Sequence, residues 1–366
     1  MSAAPPRDHD PQRIAVLPGD GIGPEVTAEA LKVLQAAVSR WQLPLETIEK
    51  PWSADHYLKT GETLPDGALE DLQENYSAIL IGAYGDPRVP DMRHAADILL
   101  GIRFGLDLYI NFRPIKAYED RLNPLKYKTA EQIDLVVFRE NTEGAYVGVG
   151  GNFKKGTAHE IAIQEEIHTR RGVERILRAA FEYARDQGRG KVCMADKSNV
   201  MRYGHDLWQR TFAEIAAEYP DIEASHLFVD ALAMQMIRKP EKFEVIVTNN
   251  MFGDIITDLG AALQGGLGMA ASANLHPGRV SMFEPVHGSA PKYRGQGVAN
   301  PMAAILTVGL MLADLGHREA SEAVEQTVCD ALAAGITTPD LGGERSTSEV
   351  GDHLARALAN AVVGAV

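Results

Sequence analysis

The chain has 366 residues, 45% of them apolar and 23% charged, with a formal net charge of −14 at pH 7. That length usually divides its hydrophobic core between two domains, and the negative balance argues against a sequence-independent grip on nucleic acid or anionic lipid, so any anionic ligand must meet a local cluster of cations. Its two cysteines, Cys193 and Cys329, lie far apart and outside any metal-ligand spacing, which excludes a disulfide framework and a zinc site and makes a reducing cytoplasm the expected compartment.

Met1 to Gln12 are polar and Pro-rich without an apolar core, and no run of about 18 apolar residues follows, so neither secretion nor membrane spanning is expected. Ile14-Ala15-Val16-Leu17 reads as a buried strand. Pro18-Gly19-Asp20-Gly21-Ile22-Gly23 breaks it before an amphipathic helix that starts near Pro24. Further apolar runs, Ser77 to Gly82, Leu135 to Phe138, Lys191 to Met194 and Val245 to Thr248, alternate with helical patterns such as Arg171 to Gln187 and Asp206 to Glu218. Strands alternating with helices predict an α/β fold with a parallel or mixed sheet. Gly150 to Gly156 and Ala271 to Pro301 read as loops, and Asp352 to Val363 as a closing amphipathic helix.

The Gly-rich turn has two readings on its own residues. Between a strand and a helix it could cradle a pyrophosphate, but its spacing is not G-x-G-x-x-G and Asp20 would stand beside the phosphates; a tight turn is the equal alternative. Asp254 and Asp258, four residues apart, share a face of a helix expected to begin near Gly253. Oxygen-only donors suit Mg²⁺ or Mn²⁺, whereas an isolated pair of this kind is more often a solvated acidic face; the flanking Ile255, Ile256 and Leu259 favour the metal. Arg103, Arg113 and Arg139 could hold carboxylates in two-pronged hydrogen bonds if they converge, and each alone reads as a surface ion pair. Lys197, at the end of an apolar strand, and Tyr146 could serve as base and acid, although an exposed strand-end lysine needs no such role.

Together these stretches resemble the isopropylmalate/isocitrate dehydrogenase family. The matching segments, in chain order, are Leu17 to Glu25, Asp107-Leu108-Tyr109, Asn111-Phe112-Arg113-Pro114, Arg139 to Gly144, Asp196-Lys197-Ser198-Asn199, Asn250 to Asp254 and Glu284 to Pro291, and the resemblance spans Ile14 to about Gly343. It implies a two-domain α/β fold with a central mixed sheet, distinct from the Rossmann type. Residues 1–108 and 265–366 would form the larger domain, and 109–264 the smaller one, which builds a homodimer with shared active sites. The implied reaction is metal-dependent oxidation and decarboxylation of a 2-hydroxy acid bearing a β-carboxylate. Arg103, Arg113 and Arg139 would hold its carboxylates, with Asp230 nearby. Asp254, Asp258 and the partner's Asp230 would hold Mg²⁺ or Mn²⁺, while Tyr146 and the partner's Lys197 would act as acid and base. The cofactor would lie against Ile22, Glu284, His287, Gly288, Ser289, Ala290, Lys292, Tyr293 and Asn300.

Within the resemblance, substrate choice comes from the helix before Arg103, where Leu100, Leu99 and Ala96 share its face. Asp97 would repel the third carboxylate of isocitrate, and Leu99 with Leu100 looks like an isopropyl pocket. The expected substrate is 3-isopropylmalate, in leucine biosynthesis; tartrate, malate, homoisocitrate and isocitrate are the alternatives. Lys292-Tyr293 looks like NADP-using isocitrate enzymes, whereas Pro339 to Gly343 looks like NAD-using isopropylmalate enzymes, so NAD is favoured slightly over NADP. A non-catalytic regulatory subunit or a generic small-molecule binding protein is the rival class. The first conflicts with acid, base and metal positions that are all filled, and the second needs Asp254 and Asp258 to be an ordinary solvated face.

Overall fold

The computed structural model describes residues 11–360. They form two compact units: 11–108, 117–130 and 261–360 in the first, and Tyr109–Lys116 with Glu131–Gly260 in the second. Residues 117–130, read from the sequence as part of the middle domain, are tied to the first unit because the Arg121 guanidinium donates to the carbonyls of Leu341 (2.8 Å) and Leu332 (3.1 Å).

In chain order, β1 (Gln12–Gly19), β2 (Leu45–Glu49) and β3 (Ala78–Ala83) belong to the first unit. The second contains β4 (Ile110–Lys116), β5 (Asp134–Glu140), β6 (Gly150–Phe153), β7 (Ile161–Gln164), β8 (Lys191–Asp196), β9 (Glu223–Phe228) and β10 (Val245–Thr248), after which β11 (Ala271–Leu275) and β12 (Ser281–Pro285) return to the first. The first unit's strands run in the order β2-β1-β3-β12-β11, parallel except for the antiparallel β11–β12 pair. Those of the second run β4-β5-β10-β8-β9, parallel except for β4–β5. Mixed sheets of this order agree with the expected fold and differ from the all-parallel Rossmann arrangement. Every residue of β3 and β10 is buried, which is why these strands read as unbroken apolar runs.

Two expectations change. Ala271 to Pro301 opens with the β11–β12 pair rather than a loop, because its polar residues are satisfied inside the sheet: buried Asn274 donates to Glu284 (2.9 Å) and Ser272 to the Glu284 carbonyl (2.7 Å). Gly150 to Phe153 likewise pairs with Ile161 to Gln164, although all eight residues are exposed and carry no burial pattern. The closing helix spans Thr347–Asn360, and the remainder of its expected range, together with nearly all of the polar N-terminal stretch, lies outside the described residues. Among the described residues, no helix is long and apolar enough to cross a membrane.

Candidate active site

The two readings of the Gly-rich turn separate once its amides are followed. Asp20 N–H donates to the Ala83 carbonyl (2.6 Å), Ile22 N–H to Ser289 (2.8 Å) and Gly23 N–H to Asp20 (2.8 Å), so these donors are spent within the protein. Gly21 has φ +58°, and a Cβ there would lie 2.0 Å from the Ser289 carbonyl oxygen, so only glycine fits the approach. The buried Asp20 carboxylate accepts from the amides of Ala54 (2.7 Å) and Gly85 (3.0 Å) and pairs with His94 Nε2 (2.8 Å). The turn is a structural knot that seats Ile22 beside the 287–291 loop. Asp20→Ala would strand these partners and is expected to destabilise the protein by about 3 kcal/mol, read as a lower thermal midpoint; an unchanged midpoint would refute this role.

In the second unit, Arg113 leaves β4 and Arg139 leaves β5, two strands paired antiparallel. Both converge on the helix Asn250–Leu263. Arg139 Nη1 donates to Asp254 Oδ1 (2.6 Å), and its other nitrogens hold Asn250 Oδ1 (2.7 and 3.0 Å) and the Asn250 carbonyl (2.8 Å). Arg113 donates to Thr257 Oγ1 (2.5 Å) and lies 3.5 Å from Asp254 Oδ1. The Tyr146 hydroxyl donates to Asp254 Oδ2 (3.0 Å), with the Arg139 guanidinium 5.2 Å from its ring centre. A Cβ at Gly253 would lie 2.4 Å from Arg139 Cγ, so glycine lets the arginine stem pass the helix.

Asp254 and Asp258 stand one helical turn apart. Burial raises the Asp258 pKa and the neighbouring Asp254 charge adds to this, while Arg113 and Arg139 oppose it. Two adjacent carboxylates, one resisting ionisation, make an oxygen donor set that fits a hard divalent cation, which would relieve their repulsion.

Lys197 follows β8 directly, and its Nζ pairs with Asp230 at the start of the helix Val229–Arg238. This ion pair lowers the Asp230 pKa. Buried Asp196 fixes the turn by accepting from the Ser198 amide (3.0 Å) and Gln209 Nε2 (2.7 Å), with His226 Nε2 at 2.9 Å.

In the first unit, Arg103 lies on the helix Arg93–Gly105 and donates to buried Glu284 (2.5 Å). Leu99 and Leu100 are half-buried, and Leu99 also packs against the core cluster containing Ile98 and Ile102. His287 donates from Nδ1 to the Gly288 carbonyl (3.1 Å), and burial lowers its pKa. Ala290 has φ +38° at the turn into Pro291–Tyr293. Lys292 and Tyr293 are exposed, with the ammonium 4.6 Å from the ring centre. Buried Asn300 donates to Asp340 (3.1 Å).

The structure thus groups Arg113, Arg139, Tyr146, Asp254 and Asp258, pairs Lys197 with Asp230, and pairs Arg103 with Glu284. Sequence reading missed Asn250 and Thr257, which orient the two arginines, although both lie in or beside the acidic motif. It also began the helix at Gly253 rather than Asn250. The Asn249 side chain accepts from the Phe252 amide (2.9 Å) and caps the helix; the signal was an asparagine directly after an apolar strand.

The sequence matches the family described as isocitrate/isopropylmalate dehydrogenase over residues 13–354. It is 48% identical over 349 residues to a 3-isopropylmalate dehydrogenase of Thermobifida fusca (strain YX), covering 95% of this chain and 98% of that protein. It is also 48% identical over 353 residues to one from Clavibacter sepedonicus, covering 94% and 97%. Among solved structures, the isocitrate dehydrogenase from Methylococcus capsulatus superposes with a TM-score of 0.85 at 35% identity, covering 95% of this chain and 99% of that one.

Proposed function

The chain belongs to the isocitrate/isopropylmalate dehydrogenase family, and from that premise we propose that it oxidises and decarboxylates 3-isopropylmalate to 4-methyl-2-oxopentanoate and CO₂ with reduction of a nicotinamide cofactor, a step of leucine biosynthesis. The observation that carries the reading is the convergence of Arg113, Arg139 and Tyr146 on Asp254, with Asp258 one turn away. The curated relatives named as 3-isopropylmalate dehydrogenases and the apolar Leu99-Leu100 step before Arg103 support the substrate.

In this reading Arg103, Arg113 and Arg139 hold the substrate carboxylates, and Asp254, Asp258 and the partner's Asp230 hold Mg²⁺ or Mn²⁺. When bound, the ion supplies Lewis-acid stabilisation of negative charge developing on the substrate's oxygen. The nicotinamide, when bound beside Ile22, Glu284 and the 287–291 loop with Asn300, supplies the hydride acceptor. The partner's Lys197, as its neutral amine, takes the proton of the 2-hydroxyl through a water, and Asp230, which pairs with its Nζ within the same chain, keeps the stem at the end of β8. Tyr146 then gives its phenolic proton to the carbon that has lost CO₂. Arg139 lies over its ring and Asp254 accepts from its hydroxyl, contacts that hold the phenol beside the acidic pair. The homodimer this requires is supported by exposed apolar side chains of the second unit, among them Phe153, Ile161, Ile163, Met234 and Ile255.

The cofactor is assigned as NAD, with NADP accepted through Lys292 and Tyr293. Lys292→Asp is expected to lower kcat/KM with NADP about tenfold and leave NAD turnover intact; an unchanged NADP-to-NAD ratio would remove Lys292 from cofactor recognition. The substrate is tested with a panel of 3-isopropylmalate, isocitrate, homoisocitrate, malate and tartrate, with Mn²⁺ and either cofactor. A higher kcat/KM for 3-isopropylmalate than for every other acid supports the assignment, and preference for another acid would overturn it.

A further inference from the structure

Glu166, His168 and His205 form a cluster of titratable side chains to which none of the roles above applies. One ligand atom from each lies within 4.8 Å of the others, the composition of a transition-metal site. The remaining ring nitrogens oppose that reading. His168 Nδ1 accepts from Trp208 Nε1 (3.2 Å), and His205 Nδ1 accepts from the backbone amide of Lys197 (2.7 Å). Indole and amide nitrogens only donate, so neither Nδ1 carries a proton, and each neutral ring bears its proton on Nε2. Those are the nitrogens turned towards Glu166, at 3.1 Å from His168 and 3.8 Å from His205. A metal-ligating histidine needs the opposite arrangement, with a lone pair on the ligating nitrogen and N–H on the other.

The cluster instead holds backbone. His205 is fully buried on the helix Gly204–Ala216, its ring edge-on to Phe252 with centroids 5.6 Å apart. Its Nδ1 takes the amide of the residue at which the chain leaves β8, which is Lys197. Burial alone would raise the pKa of Glu166, but the hydrogen bonds of His168 and His205 reverse this and hold it at about 2. Glu166 also receives the Asn249 side-chain N–H (3.1 Å); the same Asn249 nitrogen lies 3.2 Å from His205 Nε2, a contact of two donors and not a hydrogen bond in this tautomer. Through its oxygen, Asn249 caps the helix that carries Asp254 and Asp258. His205 therefore holds the turn presenting Lys197, and Asn249, packed beside it, sets the start of the acidic helix.

We propose that His205, whose unprotonated Nδ1 accepts the Lys197 amide, is a positioning residue that fixes the Lys197 backbone and so the placement of its Nζ. The inference rests on Lys197 serving as the base in the reading above. Asparagine places an acceptor near the position of a histidine Nδ1, whereas glutamine places its amide near Nε2. His205→Asn should therefore retain kcat within about threefold, while His205→Gln should lower kcat about tenfold or more, with the KM for the acid changed less than about threefold. Equal loss in both variants, or no loss in His205→Gln, would overturn the proposal.

Histidine-¹⁵N spectra of the unsubstituted full chain supply a second readout that needs no variant to fold. Nε2–H tautomers for His168 and His205 support the proposal, and an Nδ1–H form of His205 would overturn it. Failure of the base assignment shows separately, as retained turnover in Lys197→Met with the His205 tautomer unchanged.

Discussion

Lys197→Met is expected to lower kcat about a thousandfold, the scale of a lost general base, while the protein stays folded and the KM for the acid changes little. Methionine keeps most of the stem's length and loses only the ammonium group, so packing at the end of β8 is preserved. The lost ion pair with Asp230 is open to solvent on the aspartate side and contributes little to folding. The turn is held by other contacts: Asp196 takes the Ser198 amide and His205 takes the Lys197 amide. Steady-state rates together with a thermal melt separate the outcomes. A normal kcat in a folded Lys197→Met protein would remove this residue from the chemistry.

Asp254→Asn is the second large effect. The substitution keeps shape and removes one charge from the carboxylate that receives Arg139 at 2.6 Å and Tyr146 at 3.0 Å. It also relieves the repulsion that helps raise the Asp258 pKa. If the Asp254–Asp258 pair holds the divalent ion, Mn²⁺ affinity should weaken at least about a hundredfold, and turnover should fall about a thousandfold through lost charge stabilisation. Titration calorimetry with Mn²⁺ and rates at saturating metal measure the two separately. Unchanged Mn²⁺ binding would return the pair to an ordinary solvated helix face.

What could be read in advance followed burial. Strands β1, β3, β5, β8 and β10 announce themselves because their central residues are packed on both faces and must be apolar. Strands β11 and β12 do not, since Ser272 and Asn274 are buried polar residues whose hydrogen bonds are visible only in three dimensions. Strands β6 and β7 are wholly exposed and lack any inward face to reveal them. The residue types at the site were legible, but their convergence was not: Arg113 and Arg139 reach Asp254 through strand pairing and through the missing Cβ of Gly253. The Gly-rich turn could not be decided from its own spacing, because its amides are spent on Ala83 and Ser289, residues far along the chain.

In the proposed reaction, oxidation and decarboxylation are carried out together on 3-isopropylmalate. The most direct test incubates the purified chain with 3-isopropylmalate, Mn²⁺ and NAD, and measures reduced nicotinamide and released CO₂ in the same reaction. Equal amounts of the two, both abolished when the metal is chelated, are the predicted result. No reduction of the cofactor, or reduction without matching CO₂, would contradict it.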